Sequence, residues 1–190
     1  MRIIGGTLRG RAITPPANFE ARPTTDFAKE GLFNILENEY DLSSLSMLDL
    51  FAGTGSISAE FISRGGAQSV CVEMNRTNAL FIKKSMSSLN VKSVKTVHCN
   101  VFDFLKLCSR GFDLIFADAW PGKYSEINEI LDLVKVGGFY IIDDMLTQPN
   151  WPEGHQENVN KLIEYLENRE DFHLTKMNWS TGIIIATKKY

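Results

Sequence analysis

Carboxylates at the ends of apolar runs, and one glycine pair, carry the chemistry legible in this chain. Asp49 lies near the end of the run Leu45–Leu50 and leads into Phe51-Ala52-Gly53-Thr54-Gly55; Glu73 ends Val70-Cys71-Val72. Asp118 ends Phe112–Ala117, and Asp143-Asp144 ends Phe139–Ile142. Gly53 and Gly55 let the backbone approach a ligand closely and take φ angles that other residues resist. A helical pattern, Ile57–Ser63, follows them, so free N–H groups and a positive dipole end sit beside the turn. A carboxylate at the tip of the second strand of a βαβ unit suits hydrogen bonding to ribose hydroxyls. The first expectation is a nucleoside-containing cofactor lying across the carboxyl ends of parallel strands.

The spacing narrows the cofactor. A Gly-x-Gly alone often marks only a tight turn; the strand before it, the helix after it and the distant acid distinguish this one. The dinucleotide pattern is absent, since Ser58 stands where its third glycine would be, and no Lys-Ser or Lys-Thr follows for a triphosphate. Asp49 would repel a pyrophosphate but suits an ammonium group. S-adenosylmethionine has an ammonium, a ribose and an adenine.

The elements that must position these groups read as follows. Residues 2–14 are strand, turn, strand, with Gly5-Gly6 at the turn and Pro15-Pro16 at the end. Thr25 or Asp26 caps a helix whose apolar face is Phe27, Leu32, Phe33, Ile35 and Leu36, weakened at Gly31 by about 1 kcal/mol relative to alanine. Further helices are expected over Thr77–Leu89, Val101–Cys108, Tyr124–Val134 (stopped by Gly137-Gly138) and about Gln156–Asn168. Val94–His98 is a third strand, Phe112–Ala117 a central one covered on both faces, and Phe139–Ile142 a fifth. Leu174–Trp179 and Gly182–Lys188 form a closing hairpin around Ser180-Thr181. The alternation predicts an α/β doubly wound sheet of seven strands, mostly parallel, with an antiparallel hairpin at its end. A boundary near residues 40–45 would separate an N-terminal extension, 1–40, from the sheet domain, 41–190.

The bulk numbers are ordinary. The 190 residues are 44% apolar and 23% charged, with a net charge of −3, enough for one domain with a full core. Nothing in the total charge points to nucleic acid, but residues 1–25 hold Arg2, Arg9, Arg11 and Arg22 against Glu20 alone. Such an arm either touches phosphates or is a solvated hairpin. Cys71, Cys99 and Cys108 lack paired metal spacing and read as reduced thiols of a cytoplasmic protein. No run approaches the roughly 18 apolar residues of a membrane span, and no signal-peptide core opens the chain.

Several stretches together resemble the RsmD family, S-adenosylmethionine-dependent methyltransferases of guanine N2 in small-subunit (16S) ribosomal RNA. They are Arg2-Ile3-Ile4-Gly5-Gly6, Arg9-Gly10-Arg11, Arg22-Pro23-Thr24-Thr25-Asp26, Leu32-Phe33-Asn34, Asp49–Gly55, Ser63-Arg64-Gly65, Val72-Glu73 and Asn100–Leu105. The likeness covers about residues 1–118. It implies a Rossmann-like class I methyltransferase fold with a small N-terminal β-hairpin extension. It further implies that Asp49, Phe51, Gly53 and Gly55 line the methionine end of the cofactor, that Glu73 holds the ribose and Met74 flanks the adenine, and that Asn100 and Val101 meet the adenine edge. Arg9, Arg11 and Arg22 would contact RNA.

Where the family carries Asp-Pro-Pro-Phe or Asp-Pro-Pro-Tyr, this chain has Asp118-Ala119-Trp120-Pro121. Asp118 would accept from the target amine and take its proton, and Trp120 would stack on a flipped base. The bland alternatives are a turn-capping carboxylate and a rim aromatic. Beyond this point Asp143-Asp144-Met145, Trp151–His155 and Asn178–Gly182 look more like small-molecule O-methyltransferases. Asp143, Asp144 and His155 are a conceivable metal set, but their spacing matches no known cage, and no metal is expected. The expectation is therefore a methyltransferase of 16S ribosomal RNA, acting as a monomer without membrane contact. The alternatives are a small-molecule O-methyltransferase, or an RNA-binding protein of the same fold without activity.

Overall fold

The strands align their tips along one edge, and that edge is where the chemistry gathers. The structure is a computed structural model and describes residues 1–16, 19, 24–117, 123–149 and 151–190. The strands are β1 (Ser46–Leu50), β2 (Gln68–Glu73), β3 (Val94–His98), β4 (Phe112–Ala117), β5 (Val134–Ile142), β6 (Phe172–Met177) and β7 (Ile183–Lys188). The helices are α1 (Asp26–Glu39), α2 (Ser56–Ser63), α3 (Arg76–Ser88), α4 (Val101–Leu107), α5 (Ile127–Asp132) and α6 (His155–Glu167). One 7-stranded sheet runs in the order β3-β2-β1-β4-β5-β7-β6. β1 to β5 are parallel, and the β6–β7 hairpin adds antiparallel to β5. The chain moves outward from β1 to β3, then returns to β4 on the other side of β1. That reversal opens a crevice between the tips of β1 and β4, the usual ligand position in such sheets. Pairing of Leu50 with both Val72 and Ala117, and of Ala117 with Ile142, brings the tips level.

Alternation along the central strands loads both faces. Leu48, Leu50, Ile115, Tyr140 and Ile142 join α4, α5 and α6 in one core, while Met47, Leu114, Phe116 and Ile141 pack with α1 and α2. Asp49 shares the second face with Met47, and so lies under α2. Thr25 caps α1, its hydroxyl accepting from Ala28 N at 3.1 Å.

Four features differ from the sequence-based expectations. Phe27 and Ile35 of α1, expected in its apolar face, are 62% and 38% exposed. Gly31 is not merely a weak spot in α1: the Trp179 ring occupies the space above it, 1.1 Å from where a Cβ would stand. The glycine is required for that contact. The helix expected to run to Val134 ends at Asp132, and Gly137-Gly138 do not stop it. They lie inside β5, at an irregularity in its register with β4, and a Cβ on Gly138 would stand 2.7 Å from the Asp113 carbonyl. Glycines inside a strand mark such close backbone approaches. The hairpin over residues 2–14 has no regular strands: a bridge from Arg2 to Ala12 and backbone hydrogen bonds from Ile3 N to Arg11 O, Gly10 N to Ile3 O and Ile13 N to Met1 O join it around a 3-10 turn at Gly6–Leu8.

Candidate cofactor and acceptor site

The turn after β1 is built from backbone that other residues would strain. Gly53 has φ 55° and Gly55 φ 71°; Phe51, with φ 57°, takes the same left-handed region although it carries a side chain. Left-handed conformations at non-glycine residues cost about 1–3 kcal/mol and gather at functional sites. Around Gly53 a Cβ would come no nearer than 3.7 Å to the Phe19 ring and 3.8 Å to the Phe51 carbonyl, so the turn is open above its first glycine. Gly55 is the tight one: a Cβ there meets Ile82 at 3.0 Å.

Glu73 bridges the tips of β1 and β2. One carboxylate oxygen accepts from Gly53 N at 2.8 Å, the other from Asn75 N at 2.8 Å. Each oxygen keeps a second lone pair for a further donor. Met74, beside it, is 64% exposed. Asn100 caps α4, its side-chain oxygen accepting from Phe102 N at 2.9 Å, while its amide nitrogen lies 3.7 Å from the Met74 sulfur. Val101 is buried behind it, and the Phe51 and Phe102 rings meet edge to face at 6.3 Å. Glycine turn, Glu73, Met74, Asn100 and Val101 therefore surround one mouth.

Asp49 sits beneath that mouth. It is 2% exposed, and Ser58 Oγ donates to it at 2.8 Å. Ser69 Oγ lies 2.7 Å from Ser58 Oγ, and the Cys71 thiol donates to the same oxygen at 3.0 Å. Burial, then the Asp49 carboxylate, pushes the Cys71 thiol well above its ordinary value, so it remains a neutral donor. Ser58 is a residue that sequence reasoning missed as part of the site; its only signal was a small polar side chain on the inner face of a short helix.

The other side of the crevice is the tip of β5. Asp143 is 3% exposed, and its Oδ1 accepts from Thr181 Oγ at 2.7 Å and from Asp144 N at 2.8 Å. Lys123 Nζ donates to the Asp143 carbonyl. Burial raises the Asp143 carboxyl above the usual range, against the pull of the Thr181 bond, the Asp144 amide and Lys123. Asp144 is left-handed, with φ 61°, and accepts from Trp151 Nε1 at 3.3 Å. His155 packs edge to face on Trp151 at 4.3 Å, and its Nε2 lies 3.3 Å from the Tyr124 hydroxyl. Burial, then the Asp144 charge, raises the Tyr124 phenol to about 12. Lys123, Tyr124 and Thr181 had no local signal. Asp143, Asp144 and His155 do come together, yet among the described residues no group of three or more His, Cys, Asp or Glu could hold a metal ion. Asp118, Trp120 and Arg22 lie outside the described residues. Arg9 and Arg11 are exposed on the N-terminal arm.

A family model described as Conserved hypothetical protein 95 matches residues 1–146. A Haemophilus influenzae protein named Ribosomal RNA small subunit methyltransferase D is 33% identical over 196 aligned positions, covering 97% of this chain and 90% of that one. The chain belongs to the ribosomal RNA small subunit methyltransferase D family. The family likeness thus continues past residue 118, through the stretch that departs from Asp-Pro-Pro-aromatic. Among solved structures, the yhhF protein of Escherichia coli has a TM-score of 0.75 at 22% identity, covering 100% of this chain and 98% of that one. The O-methyltransferase from Bacillus cereus, solved with SAH, has a TM-score of 0.75 at 17% identity, covering 91% and 86%. Both share the fold of this family member, a Rossmann-like methyltransferase sheet. No helix among the described residues is long and apolar enough to cross a membrane.

The site suits the cofactor of such enzymes. S-adenosylmethionine needs an unobstructed backbone turn for its amino-acid end, acceptors for two ribose hydroxyls and an apolar slot for adenine. The open space above Gly53, the remaining lone pairs of Glu73, and Met74 with Val101 answer these needs in that order.

Proposed function

We propose that this protein methylates a guanine N2 of small-subunit (16S) ribosomal RNA, using S-adenosylmethionine, as a monomer in the cytoplasm. The observation that carries the reading is the Phe51–Gly55 turn locked to Glu73 by the Gly53 N–H, facing the crevice between β1 and β4. The Haemophilus influenzae relative's name supplies the RNA. The three free cysteines agree with a reducing compartment.

When bound, the cofactor supplies a methyl group on a positively charged sulfur, open to in-line displacement. The protein's part is alignment, which can lower such a barrier by roughly 7–11 kcal/mol. Glu73 accepts the ribose hydroxyls with the lone pairs its backbone donors leave. Met74 would flank the adenine, and Asn100 and Val101, at the start of α4, would meet its edge. Gly53, Gly55 and Phe51 shape the wall around the methionine end. Asp49, held by Ser58, places negative charge beneath that wall, where an ammonium group is favoured. Asp118 accepts a hydrogen bond from the guanine N2–H and takes its proton as the new bond forms. Trp120 stacks on the flipped base, a contact worth about 1–3 kcal/mol. Arg9, Arg11 and Arg22 pair with phosphates, so binding weakens with salt.

The test is transfer of labelled methyl groups to small ribosomal subunits lacking the modification, with the product nucleoside identified by mass spectrometry. N2-methylguanosine is expected. Label on a different atom, or no label from protein that binds S-adenosylhomocysteine, would reject the reading.

A further inference from the structure

The N-terminal arm is too small to hold its own shape. One bridge and the backbone hydrogen bonds from Ile3 N to the Arg11 carbonyl, Gly10 N to the Ile3 carbonyl and Ile13 N to the Met1 carbonyl join its two sides, and two-stranded ribbons are marginal in water. Ile3 and Ile13 anchor it in the core, and α2 supplies its polar holds. Glu60, fully buried, accepts from Ile4 N at 2.7 Å and from Gly5 N at 2.8 Å, and takes Arg64 Nε at 2.8 Å. Arg64 reaches on to α1, donating to Asn34 Oδ1 and Glu37 Oε2, each at 2.8 Å. Ser63 adds a second hold: its hydroxyl donates to the Gly5 carbonyl at 2.5 Å and accepts from Leu8 N at 2.9 Å. Gly5-Gly6 is glycine because the arm lies flat on the helix. A Cβ on Gly6 would stand 1.8 Å from the Ser63 carbonyl oxygen, and one on Gly5 2.4 Å from the Arg64 guanidinium. Lys29, 1% exposed, holds the first side of the arm through the Arg2 carbonyl at 2.9 Å.

We propose that Glu60 is a positioning residue that docks the basic arm onto α2 and so sets the reach from Arg9 and Arg11 to the cofactor turn. Gly55, the last glycine of that turn, caps the start of α2, and Glu60 lies further along the same helix. Arm and cofactor are thus two ends of one short rigid element. A basic tail left disordered would have to be ordered at the moment of RNA binding, at a cost in affinity. Here the ordering is completed on folding, which is preorganisation for a large anionic substrate. A guanidinium and two N–H groups surround the buried carboxylate, the pairing that a buried acidic side chain needs. The proposal rests on the RNA reading above.

Two variants test it. Glu60→Gln removes the charge, and Gly6→Ala wedges the arm off the helix from the arm's side, leaving the α2–α1 contacts in place. Hydrogen exchange at the Ile4 and Gly5 amides, calorimetry with S-adenosylhomocysteine and steady-state kinetics on small subunits are measured for each. Exchange at both amides should rise at least tenfold. KM for the subunit should rise at least tenfold, with kcat and the cofactor Kd within twofold of wild type. Freed amides with an unchanged KM would show a purely structural clamp and overturn the proposal. So would retained protection of Ile4 and Gly5 in Gly6→Ala. If Glu60→Gln does not fold, Gly6→Ala decides alone. Wild-type protein that modifies no subunit would instead sink the RNA reading, and this proposal with it.

Discussion

At the rim formed by the tips of β1, β2 and β3, main-chain N–H groups hold Glu73 (Gly53 and Asn75) and Asn100 (Phe102), with Asp49 on the Ser58 hydroxyl beneath them. At the tip of β5, besides the Asp144 amide on Asp143, the partners are side chains from other segments. Thr181, from the β6–β7 turn, holds Asp143; Trp151 holds Asp144; Tyr124 meets His155. Main-chain donors travel with the fold, so the cofactor side persists wherever the turn and sheet form. Side-chain partners can be exchanged one at a time, so the acceptor side is free to vary. Asp118-Ala119-Trp120-Pro121, which follows β4 in the chain, is where the sequence departs from the Asp-Pro-Pro-aromatic pattern.

The largest expected effect separates the two sides outright. Asp118→Ala should lower methyl transfer by roughly 10²–10⁴-fold, the range of general acid–base contributions, while calorimetry finds S-adenosylhomocysteine binding unchanged. A parallel loss of binding would show that the two sides are not independent. Glu73→Gln is the converse. It exchanges a carboxylate for an amide whose NH2 group would face one of two N–H donors, and cofactor affinity should fall at least tenfold, about 1.4 kcal/mol. Subunit binding measured without cofactor should not change.

Gly31→Ala tests whether propensity or tertiary contact governs α1. Helix propensity alone favours alanine by about 1 kcal/mol. The Trp179 ring above Gly31 reverses the sign, and overpacking should destabilise by about 1–3 kcal/mol in a urea melt. A stabilised variant would refute the contact. Thr25→Ala, which removes a cap, should cost about 1 kcal/mol in the same melt and leave cofactor affinity alone.

The smallest effect is a pH dependence confined to the acceptor side. Burial holds His155 below its ordinary value; Asp144 pulls it up, and Lys123 reinforces the burial. The folded state therefore prefers the neutral ring. That preference adds stability above about pH 6.5, the unfolded value, and the contribution is lost as pH falls through the lower folded value. Thermal stability should decline in mild acid, and His155→Gln should flatten the decline. An unchanged profile in the variant would assign the acid limb to other groups.

Reading residues in order picked out the residues of the proposed cofactor side, because their signals are local. An apolar run, a glycine pair and an acid at the next strand's end are encoded by neighbours, and strand tips align by pairing rules. Asp49 was legible as a carboxylate near the turn, but its place beneath α2 was not, since only strand alternation together with Ser58 settles which way it faces. Gly137-Gly138 read as a helix stop because glycine ends helices more often than it relieves a strand irregularity. The Asp113 carbonyl that makes the difference is far away in sequence.

Local pattern by itself determined the βαβ start, the cofactor class and the basic character of residues 1–25, because each depends on residues within a turn or a strand of one another. Tertiary structure alone decided that the basic arm is clasped by Glu60 and Ser63, that Gly31 makes room for Trp179, and that Asp143 leans on Thr181. Those contacts join segments that meet only after the sheet has closed, and no short stretch of chain records its eventual neighbour.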